Sequence, residues 1–140
     1  MVYRFLTVAV GAHDADDCFQ ETFIAALRAY PKLTHADALD RWLLRIASRK
    51  AIDHHRGAAR GPIPVAEIPE RAARPETYGS VDPAVASAVQ ALPPRQRVAV
   101  VHRLVFDRTY ADVAALMGST EETARANVSQ GVRRLRELMA

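Results

Sequence analysis

Three arginines at four-residue spacing, Arg41, Arg45 and Arg49, with Lys50, His54, His55 and Arg56 close behind, are the most chemically pointed pattern in this sequence. On a helix they share one side, where like charges repel at a small cost that a polyanion would remove. A solvated basic face accounts for the stripe as well, and the stretch alone leaves both readings open. A second candidate set is Ser119, Thr120, Glu122, Thr123, Arg125, Ala126, Asn127 and Gln130. Arg125, Asn127 and Gln130 carry side chains that can read base edges, while Arg133, Arg134 and Arg136 suit phosphates. A third is acidic and polar: Asp14, Asp17, Gln20 and Glu21.

No catalytic or metal site is legible. The five histidines are scattered, and His54 and His55, being adjacent, point to different sides of a helix. No glycine loop could cradle a phosphate, and no serine sits in a nucleophile elbow. Cys18, between carboxylates, reads as a buried thiol, because neighbouring acids raise a thiol pKa. The expectation is a non-enzymatic protein with no metal and no cofactor.

Helices must position these sets. Met1–Val10 reads as the tail of an apolar helix stopped at Gly11. Asp14 is a candidate cap for the next helix, with Phe19, Phe23, Leu27 and Tyr30 as its buried face and Pro31 as its end. In the basic helix, Leu39, Trp42, Leu43, Ile46, Ala47 and Ile52 make the apolar stripe. Between Gly57 and Ser80 lie four of the eight prolines and three of the six glycines, so this interval reads as a semi-rigid linker. Beyond it Asp82 caps a helix carrying Val85, Val89 and Leu92. Pro94 opens another with Val98, Val101, Leu104 and Val105 on its apolar face. Thr109 with Asp112, and Ser119 with Glu122, have capping-box spacing around a turn at Gly118. The final helix runs apolar through Ala124, Val128, Val132, Leu135 and Leu138. A short helix, a glycine turn and a longer basic helix fit a helix-turn-helix, though an ordinary packed hairpin has the same pattern.

Composition sets the bounds. With 140 residues, 49% of them hydrophobic, the chain can build one ordinary domain or two small ones. Formal charge is only +3, but from Ala38 to Arg60 six Arg or Lys face two Asp, whereas Asp14 to Glu21 holds four acids and no base. A single cysteine excludes an internal disulfide and suits a reducing cytoplasm. No run approaches a membrane span, and no signal-peptide pattern is present. The expected class is all-α: a first helical domain over 1–58, a linker over 59–80 and a helix-turn-helix domain over 81–140.

The segment DADDCFQETFIAALRAY (14–30), followed by ALDRWLLRIASRKAIDHHR (38–56), resembles region 2 of the extracytoplasmic-function group of the sigma-70 family. ALPPRQRVAVVHRLVFDRTYADVAALMG and ETARANVSQGVRRLREL resemble region 4 of the same group, in the right order. The resemblance implies a cytoplasmic sigma factor that binds core RNA polymerase and promoter DNA, with room for an anti-sigma partner. Asp14, Asp17, Gln20 and Glu21 would meet the β′ clamp. Arg41, Arg45, Arg49, Lys50, His54 and Arg56 would lie on the −10 element, and the loop 31–37 would hold an extruded base. The helix at Pro94 would sit near the β flap. Ser119, Thr120, Thr123, Arg125, Asn127, Gln130, Arg133 and Arg134 would serve the −35 element. Arg49 stands where the family commonly has Asn, and family members carry a further helix before the position of Tyr3. Two other readings use the same residues: a stand-alone helix-turn-helix regulator of duplex DNA, and a degenerate sigma-like protein acting through protein contacts alone.

Overall fold

A computed structural model describes residues 1–32, 39–59 and 82–140, with no strand among them. In chain order the helices are α1 (Val2–Val10), α2 (Ala12–Ala29) ending in a 3-10 turn at Tyr30–Lys32, and α3 (Leu39–Ala59). Then come α4 (Pro83–Gln90), α5 (Pro94–Val100) continuing as a π-helical segment Val101–Val105, α6 (Tyr110–Met117) and α7 (Glu121–Met139). Residues 33–38, which hold most of the loop expected over 31–37, and the expected linker, apart from Ala59, lie outside the described residues. Ala59 itself ends α3, so that helix outlasts the boundary expected near Arg56. One interior glycine costs only about 1 kcal/mol of helix propensity, and Ala58 and Ala59 follow it.

Local signals account for most helix ends. The Asp82 carboxylate accepts from the Ala84 N–H at 2.8 Å, with Pro83 at the first helical position. Thr109 Oγ1 accepts from the Asp112 N–H at 3.1 Å, and Gly118 closes α6 in the left-handed conformation (φ 65°, ψ 36°). Two expected caps move. α7 is capped by Thr120, which accepts from the Thr123 N–H at 3.1 Å, one residue later than the Ser119 box. α2 starts directly after Gly11, whose φ of 89° makes the sharp entry, so Asp14 falls in the first turn rather than at the cap.

The buried faces differ from those expected on α2 and α3. Ala15, Cys18, Thr22 and Ala26 face inward on α2, whereas Phe23, Leu27 and Tyr30 are 39%, 74% and 62% exposed; only Phe19 packs against the core. Small side chains win because they let α2 approach α1 and α3 closely, which large ones would prevent. On α3 the inward stripe is Leu44, Ala47, Ser48, Ala51 and Ile52, with Trp42, Leu43 and Ile46 half-buried and Leu39 exposed. The cause is that α3 is packed from two sides, by α1 and α2 and by α5 and α6.

One hydrophobic core therefore runs through both helical domains, from Phe5, Leu6 and Leu44 to Val98, Val113 and Val128. Polar bonds seal the seam. α1 ends with carbonyls that no helical partner can satisfy, and the second domain supplies donors: Gln90 Nε2 to Val8 O at 2.8 Å and Arg97 Nη1 to Ala9 O at 3.2 Å. The same buried guanidinium donates to the carbonyls of Val89, Gln90 and Leu92 at 3.1, 2.6 and 2.9 Å, closing the end of α4. Burial lowers the Arg97 pKa, but a guanidinium keeps its proton and its fixed fork of donors.

Beyond Val100 the helix widens, with Phe106 N–H bonded to Val101 O at 3.2 Å and Arg108 N–H to His102 O at 3.1 Å. The extra residue per turn rotates the face expected from Val98 onward. His102 is buried, and Leu104 and Val105 are exposed. On α7, Ala124, Val128 and Gly131 face the core; Val132 and Leu135 pack at its margin, and Leu138 is exposed.

Gly131 marks a close approach of α5 and α7. A Cβ there would come within 2.5 Å of Val100 Cγ2 and 3.4 Å of Gln96 O. Val100 is β-branched and stiff, so overpacking of about 1–3 kcal/mol outweighs the roughly 1 kcal/mol gained in helix propensity. Gly131→Ala is expected to lower the midpoint of thermal unfolding followed by circular dichroism; an unchanged or raised midpoint would contradict the close α5–α7 contact.

Candidate nucleic-acid interface

The arginine stripe of α3 lies along the mouth of the seam between the domains. Arg41 forms an ion pair with Asp112 of α6, the residue whose N–H completes the α6 cap. Arg45 and Arg49 line a cleft of about 300 Å³ together with Ile52, Asp53, Arg95, Leu116, Met117 and Gly118. Arg45 Nη2 stands 3.8 Å from where a Gly118 Cβ would be, beside the last turn of α6, whose carbonyl end favours a cation. The helical repeat thus does gather Arg41, Arg45 and Arg49 on one side. That side stays exposed but runs beside α6, which no local pattern could have announced.

The other residues expected to act with the stripe diverge. Lys50 is half-buried toward Cys18, whose pKa rises to about 12 through burial first and then through Glu21, Asp14 and Asp17, with Lys50 opposing. His54 Nε2 lies 3.4 Å from Asp14 Oδ2, tying α3 to α2. Arg56 lies outside the residues whose side chains are described. The acidic set splits in turn: Asp14 is engaged with His54, while Asp17, Gln20 and Glu21 are exposed on α2 beside Phe23, Ile24 and Leu27. Acids and large apolar groups on one exposed face make a surface suited to a protein partner.

On α7 the N-terminal turn is exposed and held by its own bonds. Thr120 donates to Thr123 Oγ1 at 2.9 Å, and Ser119 Oγ donates to Thr120 O at 3.2 Å. Arg125 is engaged twice, by Glu121 at 3.1 Å and by the Tyr110 ring, 4.4 Å from its guanidinium; Arg103 lies 4.6 Å from the same ring. Asn127 is half-buried, and Gln130 accepts from Gln96 Nε2 at 3.3 Å. Thr123, Arg133 and Arg134 are exposed, Arg134 with Glu137 at 3.6 Å. The helix-turn-helix geometry is present: α6, the αL turn at Gly118, and α7 presenting an open face from Thr123 to Arg134.

Sequence reasoning missed Arg95, Arg97, His102 and Tyr110. Arg97 and His102 had a signal, a basic and a titratable residue bracketing the run Val98–Val101, where each lies within a turn of fully apolar neighbours. Arg95 and Tyr110 gave none, because their roles depend on which helices meet. Among the described residues, no helix is long and apolar enough to cross a membrane, and no three His, Cys, Asp or Glu side chains gather as metal ligands would.

Comparison with known proteins agrees with this geometry. Residues 1–61 match the family model for sigma-70 region 2, and residues 83–135 match that for sigma-70 region 4. The chain is 30% identical over 138 residues to a probable RNA polymerase sigma-C factor of Mycobacterium bovis, covering 92% of this chain and 72% of the relative. It is also 30% identical to the ECF RNA polymerase sigma factor SigE of Mycolicibacterium smegmatis, over 99% of this chain and 57% of that one. Among solved structures, the sigma factor RpoE of Bartonella quintana, crystallised with the anti-sigma factor NepR, superposes with a TM-score of 0.72 at 25% identity, covering 99% of this chain and 89% of that one. Both helical domains are matched in that single superposition. With two region blocks in family order on one all-helical chain, the protein belongs to the extracytoplasmic-function group of the sigma-70 family of RNA polymerase sigma factors.

Proposed function

We propose a division of labour among the faces of this sigma factor, which binds core RNA polymerase and directs transcription initiation. The exposed α2 face with Asp17, Gln20 and Glu21, and Asp14 at its edge, meets the β′ clamp. The adjoining Phe23, Ile24 and Leu27 add apolar area that solvent alone gives no reason to expose. Arg41, Arg45 and Arg49 of α3 bind the promoter around the −10 element, Lys50, His54 and Arg56 extend that surface, and α7 reads the −35 element as duplex from Thr123 to Arg134. The 59–80 segment links a region 2 unit (1–58) to a region 4 unit (81–140). The work is differential binding rather than bond chemistry: a strand captured only once unpaired makes opening favourable, with no catalytic group or cofactor. The protein acts in the cytoplasm, where the polymerase is. An anti-sigma partner would hold the two domains together, as its counterpart accompanies the sigma factor in the Bartonella complex. The observation that carries this reading is the cationic excess at the cleft, where Arg45, Arg49 and Arg95 meet one carboxylate, Asp53, and neither Arg45 nor Arg49 has an ion pair among the described residues, while Arg41 has a surface one.

The Arg41–Asp112 pair joins a 62% exposed side chain to a 28% exposed one, so its loss costs under about 1 kcal/mol. Arg41→Ala with Arg45→Ala is therefore expected to fold, to bind core polymerase in a pull-down, and to lose promoter opening in a permanganate footprint. Every phosphate that α3 no longer neutralises flattens the slope of log K against log salt by roughly one unit. Equal loss of core binding and opening would reject the assignment of α3. Asp17→Arg with Glu21→Arg is expected to do the reverse, abolishing retention on core while leaving duplex binding by α7 intact; undiminished retention would remove the α2 face from the proposal.

A further inference from the structure

His102 is a fully buried imidazole at the seam, and its bonding fixes its protonation. Its ring stacks on Phe5 of α1, centroids 4.4 Å apart and planes within 5°, and its Nε2 lies 2.8 Å from Ser48 Oγ of α3. Ser48 has one hydroxyl proton, and Leu44 O, 2.7 Å away, takes it. Nε2 therefore donates to the Ser48 oxygen, and Nδ1 is a bare acceptor that meets no hydrogen-bond partner. A proton added at Nδ1 would be a buried donor facing nothing, on a cation out of water.

The surroundings offer no compensation. α1 presents Phe5 and, over the Phe106 ring at 5.5 Å, Arg4; the turn after the π segment brings Arg108, 6.0 Å from the same ring. Arg103, on the segment itself, lies over Tyr110 of α6, and Asp112 of α6 is engaged with Arg41. α3 contributes Ser48, and α5 contributes Arg97, whose donors are spent on carbonyls. Asp107 lies in the following turn at φ 52°. Burial first and the Arg108 charge second push the His102 pKa down to about 3.

We propose that the contact between the two domains is an acid-sensitive latch, closed by neutral His102 and opened by its protonation, and that opening it frees the α3 arginine stripe. The first half rests on the seam alone; the second rests on the assignment of α3 to promoter DNA. The sign follows from linkage. Closed, the imidazole must be neutral; open, it returns to an ordinary value near 6.5. The latch is at full strength above about pH 6.5, and closure weakens about tenfold per unit as pH falls from there toward 3.

The test is energy transfer across the seam in the full chain, with dyes on Arg28→Cys and Ser129→Cys, exposed positions of α2 and α7. Transfer is followed through a urea titration at pH 7.5 and pH 5.5, alongside helical circular dichroism. The opening constant is expected to rise about tenfold at pH 5.5 in the parent chain and to stay within twofold in His102→Leu, an apolar filler. His102→Gln, which keeps a donor for Ser48 without titrating, should match His102→Leu and replaces it if that variant does not fold. Equal pH responses in parent and variants, or loss of transfer that coincides with loss of helix at both pH values, would overturn the latch. Anisotropy of a fluorescent oligo-dT strand at fixed ionic strength reads the second half: affinity should rise on acidification in the parent beyond any rise in the variants. A distance response without that rise keeps the latch and sinks the release of α3 to DNA.

Discussion

The arrangement of this protein depends on the end of α1, where the helix runs out and leaves carbonyls that it cannot bond internally. Gly11 turns the chain straight into α2, so there is no loop to fold back and satisfy them. The donors come instead from residues more than 80 positions away, Gln90 and Arg97. Arg97 also closes α4, so one guanidinium ties the start of the second domain to the first. A buried polar group without partners costs about 1–3 kcal/mol, which makes this clasp conditional: separating the domains is tolerable only because water can then reach the same carbonyls.

That condition lets a seam with a continuous apolar core come apart without stranding its buried carbonyls. Apolar surfaces such as Phe5, Leu6 and Leu44 favour closure without direction. The polar contacts across the seam set its register, and each has a different sensitivity. The Arg41–Asp112 pair is exposed and screened by salt; the Arg97 fork is charged and independent of pH; His102 keeps its bond to Ser48 in either protonation state but stays buried without penalty only while the imidazole is neutral. Closure would also compete with the proposed promoter contact, since Arg41 cannot hold Asp112 and a phosphate in one geometry.

Much of the fold was legible because it is local. Asp82, Pro83, Thr109, Gly118 and the spacing of Val113, Ala114, Leu116 and Met117 specify their helix ends and faces from within a few residues. The misreadings share one cause. On α2 the large residues Phe23, Leu27 and Tyr30 carry the helical period as clearly as Ala15, Cys18, Thr22 and Ala26, and hydrophobicity alone picks the larger set. Which set faces inward is decided by how closely α1 and α3 approach, and that is a tertiary fact. The same holds on α3, where a second packing partner turns Leu44 and Ser48 inward and leaves Leu39 outside.

The candidate site divides along the same line. Spacing was enough to place Arg41, Arg45 and Arg49 on one face and to set two helices around a turn at Gly118, though not to tell a helix-turn-helix from a packed hairpin. It could not say that the two meet, that Arg95 would add its charge to the cleft, or that Arg125 would be held by Tyr110 and Glu121. The consequence is asymmetric. The α7 face from Thr123 to Arg134 is open in this arrangement, whereas the stripe of α3 faces the turn between α6 and α7. If α7 reads duplex and α3 binds an opened strand as proposed, duplex recognition needs no domain separation, whereas a strand laid along Arg45 and Arg49 would meet the Gly118 turn at the same cleft. On the proposed assignment of α3 and α7, the packing implies an order: whatever separates the domains would act before melting and after or alongside the first contact with the promoter.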